Sequence, residues 1–330
     1  MKKILNLFVL GTLVFNLSGC GSGSNAGDGG ASDKLQIAVI PKGTTHFFWK
    51  SIHAGAEKAA QELDVEVIWQ GPQKEDDRQM QIQVVQNFIS RNIDAIVLAP
   101  LDDRSLVPPV QAAVRRKIPV IIIDSDLNAD VYASFISTDN RKGGQMCAER
   151  LAEVLDGKGK VIMLRYSEGS ASTTHREEGF LEKIKEYPDI ELVSSNQYAG
   201  ATIEKGFQAS QNLLNRFPAV DGIFCPNESA TTGMLRALQT AGRAGKVKLV
   251  GFDSSETLIK AMRAGELDGL AQQDPFQMGY LGVKAAIDVI EGKPVEKRVD
   301  TGVIMVTPEN LDEPEVQELV NPELDQWLSE

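Results

Sequence analysis

Only three histidines and three cysteines occur in 330 residues, and the chemistry that depends on them is correspondingly thin. His46, His53 and His175 stand at no metal-ligand spacing from one another or from a cysteine, so no metal site is expected. Cys147 and Cys225 are far apart, each without a second cysteine nearby, and read as small buried hydrophobes rather than disulfide partners. Clustered basic residues are missing too. Lysine and arginine number 34 against 46 aspartates and glutamates, a formal charge of −12. Phosphate-backbone binding needs grouped cations, so nucleic acid is not an expected partner. There is no nucleophile elbow and no Walker loop, and Gly19-Cys20-Gly21-Ser22-Gly23 follows no strand candidate, so it is no dinucleotide fingerprint. Neither an enzymatic activity nor a cofactor is expected.

A long apolar run is also absent. The longest begins after Lys2 and Lys3, extends from Ile4 to about Leu17, and is shorter than the roughly 20 residues a spanning helix needs. A basic start, a short apolar stretch and a small-residue cleavage site make a secretory signal over residues 1–19. Its end, Leu17-Ser18-Gly19-Cys20, resembles a bacterial lipobox. By that resemblance Cys20 becomes an acylated N-terminus, tethering the protein to a membrane outside the cytoplasm. Residues 20–34 carry no large apolar side chain and read as a flexible leash.

From Leu35 onward, short β-rich runs alternate with amphipathic stretches. Leu35 to Pro41, Val65 to Gln70, Asp94 to Ala99 and Pro119 to Ile123 are strand candidates. Between them lie a helix over Phe47 to Leu63 and another carrying Ile82, Val85, Phe88 and Ile89. After Phe135 to Thr138 the rhythm restarts, with strands at Val161 to Leu164, Ile190 to Ser194, Val220 to Cys225, Val247 to Phe252 and Gly269 to Gln272, and a helical stripe over Glu178 to Tyr187. Continuous Val/Ile/Leu runs suit parallel strands covered on both faces. The expected fold is α/β: two doubly wound parallel-sheet lobes whose strand ends face one another across a cleft.

Short polar side chains close several of these runs: Asp124 after Val120-Ile121-Ile122-Ile123, Asn227 after Cys225-Pro226, Asp253 after Val250-Gly251-Phe252, and Gln273 after Gln272. A carboxylate accepts from two neighbouring hydroxyls and an amide both gives and accepts, so the set suits a neutral polyol or sugar. Helix capping is the competing role for Asn227 and for Asp253, whose Asp253-Ser254-Ser255-Glu256 has capping-box spacing. Arg176, read as lying in the first turn of a helix, opposes the helix dipole there and calls for a partner; pairing to Glu168 or Glu177 is the alternative to a ligand contact. His175 beside it reads as a surface residue. Phe47, Phe48 and Trp49 point about 100° apart along a helix start, so they cannot all face one core and at least one is free to stack on a sugar ring.

With these residues in place the chain resembles the type I periplasmic sugar-binding proteins of ABC transporters, the ribose-binding group. The resemblance runs from about Leu35 to Val306. It is carried by Ile37-Ala38-Val39, Phe47-Phe48, Pro119 to Asp124, Thr138-Asp139-Asn140, Arg176 before Gly179-Phe180, Leu235 to Gly242, and Val250-Gly251-Phe252-Asp253. It implies an N-terminal lobe of residues 35–138 and 274–302, a C-terminal lobe and tail of 139–273 and 303–330, and crossings near Thr138, Gln273 and residues 300–303. The implied ligand contacts are Phe47, Phe48, Asp124, Arg176, Asn227, Asp253 and Gln273, with Thr45, His46, Trp49, Ser125 and Tyr198 as further candidates. Ser125 stands where ribose binders carry arginine, Ala201 where they carry an aromatic, and Thr45 where they carry asparagine, which points to a sugar other than ribose. The implied partners are a sugar, an ABC permease and, through Cys20, a membrane, with the protein acting as a monomer. A repressor of related fold would need a DNA-binding helix pair before Leu35, where this chain has the lipobox. A receptor feeding a chemoreceptor or sensor kinase fits the same residues.

Overall fold

The computed structural model describes residues 34–328, so the signal, Cys20 and nearly all of the leash lie outside the described residues. In chain order the body runs β1 (Gln36–Ile40), α1 (Phe47–Leu63), β2 (Glu66–Trp69), α2 (Arg78–Ser90), β3 (Ala95–Leu98), α3 (Val107–Arg115), β4 (Val120–Ile123), β5 (Ser134–Ser137), α4 (Asn140–Val154), β6 (Lys158–Arg165), α5 (Ala171–Lys183) and β7 (Asp189–Tyr198). It continues with α6 (Ile203–Arg216), β8 (Gly222–Phe224), α7 (Glu228–Thr240), β9 (Lys248–Phe252), α8 (Glu256–Arg263), β10 (Gly269–Gln273), α9 (Pro275–Ile290), β11 (Arg298–Asp300), β12 (Val303–Val306) and α10 (Pro314–Val320). No helix among the described residues is long and apolar enough to cross a membrane.

The strands form two six-stranded sheets, ordered β11-β5-β4-β3-β1-β2 and β12-β10-β9-β8-β6-β7. Every pairing in the first is parallel, and in the second only β12 runs antiparallel, against β10. Strands β3, β4 and β5 are buried along their whole length because helices cover both faces of the sheet. This is why β3 and β4 read in sequence as unbroken apolar runs rather than as alternation.

Three short segments carry the chain between the sheets: β5 to α4, β10 to α9, and β11 to β12. Two of these segments are bonded to each other. Thr138 Oγ1 donates to the Gly302 carbonyl at 2.7 Å, Thr301 N to the Ser137 carbonyl at 3.0 Å, and Asp139 N to Asp300 Oδ1 at 3.2 Å. Of the strands beside this strap, β11 is three residues long and carries no apolar run, whereas β12, Val303-Ile304-Met305-Val306, is apolar throughout but only four residues long. Strand β7 extends four residues past Ser194 because bulged pairing to β6 continues to Tyr198.

Helix packing in the second lobe fixes a deeply buried charge, Arg176. A Cβ on Gly144 of α4 would meet the Arg176 carbonyl oxygen at 1.9 Å, and one on Gly179 of α5 would meet the Arg141 carbonyl oxygen at 2.0 Å. The two helices therefore lie backbone to backbone, which only glycine permits. That contact sets how deep Arg176 sits.

Candidate functional site

Asp124 and Asp253 occupy equivalent places in the two lobes, directly after β4 and β9, and both have left-handed backbone, with φ of 61° and 65°. Aspartate tolerates this region better than most residues, but it is still a strained conformation of the kind that functional sites hold. It re-aims each carboxylate from the strand direction into the space between the sheets. There the strand ends surround a small cavity of about 30 Å³, lined from the first lobe by Lys42, His46, Phe48, Trp49, Glu75 and Asp124, and from the second by Tyr166, Ser170, Ser172, Thr173, Arg176, Asn227, Glu228 and Asp253. This is the crevice at which open α/β sheets bind ligands.

Arg176 is 2 % exposed, and both Nε and Nη1 of its guanidinium are engaged. Nε donates to Asn140 Oδ1 at 2.7 Å, Nη1 donates to the Pro226 carbonyl at 2.9 Å and stands 3.5 Å from Asp253 Oδ2, and the fork lies 3.8 Å from the centre of the Phe252 ring. Gln273 Nε2 donates to the other Asp253 oxygen at 2.7 Å. Burial pushes the Asp253 pKa up to about 6, with Arg176 and Gln273 holding it below where desolvation alone would take it.

A second cluster spans the lobes. Lys42 Nζ lies 2.7 Å from Asp124 Oδ2 and donates to Ser172 Oγ at 3.0 Å, so an ammonium from the first lobe reaches a hydroxyl on the second. Glu75 accepts from Trp49 Nε1 and from the Tyr166 hydroxyl, both at 2.7 Å. His46 stands between two carboxylates, 3.6 Å from Glu75 and 3.8 Å from Glu228. Burial opposes its charge, but Glu228, then Glu75 and Asp253, outweigh that cost and raise its pKa to about 9. The imidazolium is the form held here at neutral pH. Ser172 N bonds Ser125 Oγ at 3.1 Å and Asp103 N bonds the Gly169 carbonyl at 3.0 Å, so the lobes stand closed on the cavity.

Of the residues anticipated from sequence, Phe48, Asp124, Arg176, Asn227 and Asp253 meet in the cavity, together with His46 and Trp49 from the wider set. Asn227 does both things at once: its Oδ1 caps α7 by accepting from Ala230 N at 3.3 Å, and it lines the cavity. Asp253 is not the cap of α8; Ser255 is, accepting from Leu258 N. Gln273 touches Asp253 but does not line the cavity, and so positions the carboxylate from behind.

Four candidates lie elsewhere. Phe47 turns away, one helical step from Phe48, into a groove shared with Asn321, Pro322 and Leu324. Thr45 is exposed at the loop surface and its hydroxyl reaches the Gln73 carbonyl. Ser125 is fully buried and spends its hydroxyl on Ser172 N, and Tyr198 is 44 % exposed and accepts from Arg165 Nη1 at 3.2 Å. The first-turn placement of Arg176 also needs correction. Helix α5 begins at Ala171, so Arg176 lies in its second turn, and its partner is Asp253; Glu177 pairs instead with Arg165 at 3.2 Å.

Lys42, Glu75, Tyr166 and Glu228 were missed. Lys42 was recoverable, since it follows the β1 run by one proline and the strand-end rule applies to it as well as to Asp124. Glu228 immediately follows Asn227 and reads as an ordinary first-turn acid. Glu75 sits in the β2–α2 loop, where nothing local sets it apart from Asp76 and Asp77.

Comparison with known proteins agrees with this geometry. Residues 37–294 match the periplasmic binding protein domain. The chain is 29% identical over 324 residues to the D-ribose/D-allose-binding protein of Pseudomonas aeruginosa, covering 93% of this chain and 99% of that one. It is 31% identical over 276 residues to the ribose import binding protein of Salmonella typhimurium, covering 84% and 92%. Among solved structures, a carbohydrate transporter solute-binding protein from Agrobacterium radiobacter in complex with D-arabinose aligns with a TM-score of 0.85 at 34% identity, over 88% of this chain and 100% of that one. The protein is a two-lobed solute-binding protein, not an enzyme, and it belongs to the type I periplasmic sugar-binding proteins of ABC transporters.

Proposed function

We propose that this protein captures a monosaccharide or related polyol by closure of its lobes and delivers it, as a monomer, to an ABC importer. The observation that carries the reading is the pair of strand-end carboxylates, Asp124 and Asp253, turned by left-handed backbone into one closed cavity beside Asn227 and the Phe48 and Trp49 rings. Carboxylates and amides match adjacent hydroxyls, and rings match the apolar face of a pyranose or furanose. Relatives named for ribose, allose and arabinose support the substrate class. Ribose itself is not the best fit. Ser125 offers no cation to the cavity, and the ammonium of Lys42, entering from β1, supplies one in a different place. A calorimetric panel of pentoses, hexoses, deoxy sugars and inositols is expected to include a ligand whose affinity falls at least about tenfold in Asp253→Asn, since a hydrogen bond to a charged group is worth roughly 1.5–3 kcal/mol. Unchanged affinity would return Asp253 to a structural role, and ribose as the tightest ligand would overturn the specificity argument.

Attachment to the membrane through acylated Cys20 is the second part of the reading, and the lipobox with its polar leash supports it. Cys20→Ala is expected to move the protein from the membrane to the soluble fraction on cell fractionation. A mutant pool that stays membrane-bound and acyl-labelled would end this idea.

A further inference from the structure

The cavity holds one more acidic group than basic ones. Lys42, Arg176 and the His46 imidazolium face Glu75, Asp124, Glu228 and Asp253, all of them lining residues. Three of the four carboxylates have a close partner: Asp124 has the Lys42 ammonium 2.7 Å from its Oδ2, an ion pair without hydrogen-bond geometry, Asp253 has Arg176 and Gln273, and Glu75 has Trp49, Tyr166 and His46. Glu228 is different. It is 8 % exposed, His46 approaches only its Oε1 at 3.8 Å, and its Oε2 is buried with no hydrogen-bond partner among the described residues. The Ser170 hydroxyl, on the same wall and 2 % exposed, is likewise without a partner among them. Glu228 begins α7, whose N-terminus favours its charge by roughly half an elementary charge but supplies no donor to Oε2. A buried carboxylate oxygen without a donor is costly, and a bound donor that brings a positive charge removes the orphan and the charge excess together.

We infer that the preferred ligand carries a protonated amine beside its hydroxyls, an amino sugar or amino polyol, and that Glu228 Oε2 receives the ammonium. This rests on the sugar reading above and narrows it. A neutral hydroxyl could donate to the same oxygen, yet it would leave the surplus charge enclosed; hydrogen bonds between two charged groups are also the stronger kind. Ser170 then accepts from, or donates to, the adjoining part of the ligand.

The test is calorimetry on the purified protein with aminodeoxy hexoses and pentoses bearing the amine at each carbon in turn, each beside its neutral parent and its N-acetyl derivative. At least one amino sugar is expected to bind tenfold or more tighter than both counterparts. In Glu228→Gln, which keeps the shape and removes the charge, the advantage of the amine over its neutral parent should vanish. A melting curve shows that the variant is folded. Neutral parents binding wild type as tightly as every amine would overturn the inference and leave the sugar reading standing. Equal weakening of amine and neutral sugar by Glu228→Gln would make Glu228 a plain hydroxyl acceptor and overturn it as well. Binding of no member of the panel would take down both readings.

Discussion

Arg176→Met is expected to lower the unfolding free energy by about 3–5 kcal/mol, the usual cost of stripping one partner from a buried ion pair. The side chains of Arg176 and Asp253 are 2% and 6% exposed, so no solvent screening softens the loss. The substitution also frees Asn140 Oδ1 and the Pro226 carbonyl, which lose charge-assisted donors at 2.7 and 2.9 Å, while methionine retains part of the contact with Phe252. For a chain of this size the midpoint of thermal unfolding should fall by roughly 10 °C. Asp253, left beside Gln273 alone, should hold its proton to a pH above 6, so the defect is smallest in acid and grows as pH rises through that range. The double variant with Asp253→Asn should recover more than about 1 kcal/mol relative to the sum of the two single changes. Additive losses would mean that Arg176 is held by Asn140, Pro226 and Phe252 and that its tie to Asp253 contributes little.

How much of this arrangement could be read from the chain depends on the distance over which each feature is written. Strands such as Ile121–Ile123 were plain because burial on both faces demands apolar residues in an unbroken run, and the carboxylates that end them were plain because a polar residue interrupts that run. Arg176 was found for a reason that does not hold: Ser170 to Thr174 looks like loop by composition, yet α5 starts there, because the Gly144 and Gly179 contact draws the segment against α4. Nothing local reports that contact. The aromatic triplet was resolved only by three dimensions. Helical spacing requires that the three rings diverge, but not that Phe48 and Trp49 face the cavity while Phe47 lies against residues 321–328. The surplus acid is the least legible feature, for it arises from the β2–α2 loop and the α7 start meeting across two lobes around one imidazole.

That imidazole makes stability depend on pH in a direction that can be stated. His46 rises from an unfolded value near 6.5 to about 9 in the folded protein, where Glu228, Glu75 and Asp253 face it from three different segments, and Lys42 of the first lobe and Arg176 of the second line the same cavity with the opposing charge. A folded pKa above the unfolded one gives stability that is complete below about pH 6.5 and is lost as pH climbs through 9. A shift of this size corresponds to a few kcal/mol. Two acids blur the lower part of the window: Asp253, pushed up to about 6, and Glu177, pushed up to about 7, both chiefly by burial, cost stability as they ionise. Above about pH 7.5 they have largely finished, so the remaining fall belongs chiefly to His46, with a smaller share from Cys147 and Cys225, whose burial keeps them protonated while the unfolded thiols begin to ionise. The melting temperature of the purified protein is expected to drop by several degrees between about pH 7.5 and 9, and His46→Gln should flatten that slope while lowering stability most at the acid end. Because Glu228 is on the second lobe and Glu75 and His46 on the first, part of the proton's hold exists only when the lobes are closed, so closure takes up a fraction of a proton. Affinity for a sugar without a titrating group should then weaken over the same range in wild type and not in His46→Gln. An identical slope in both proteins would remove His46 from the closing mechanism.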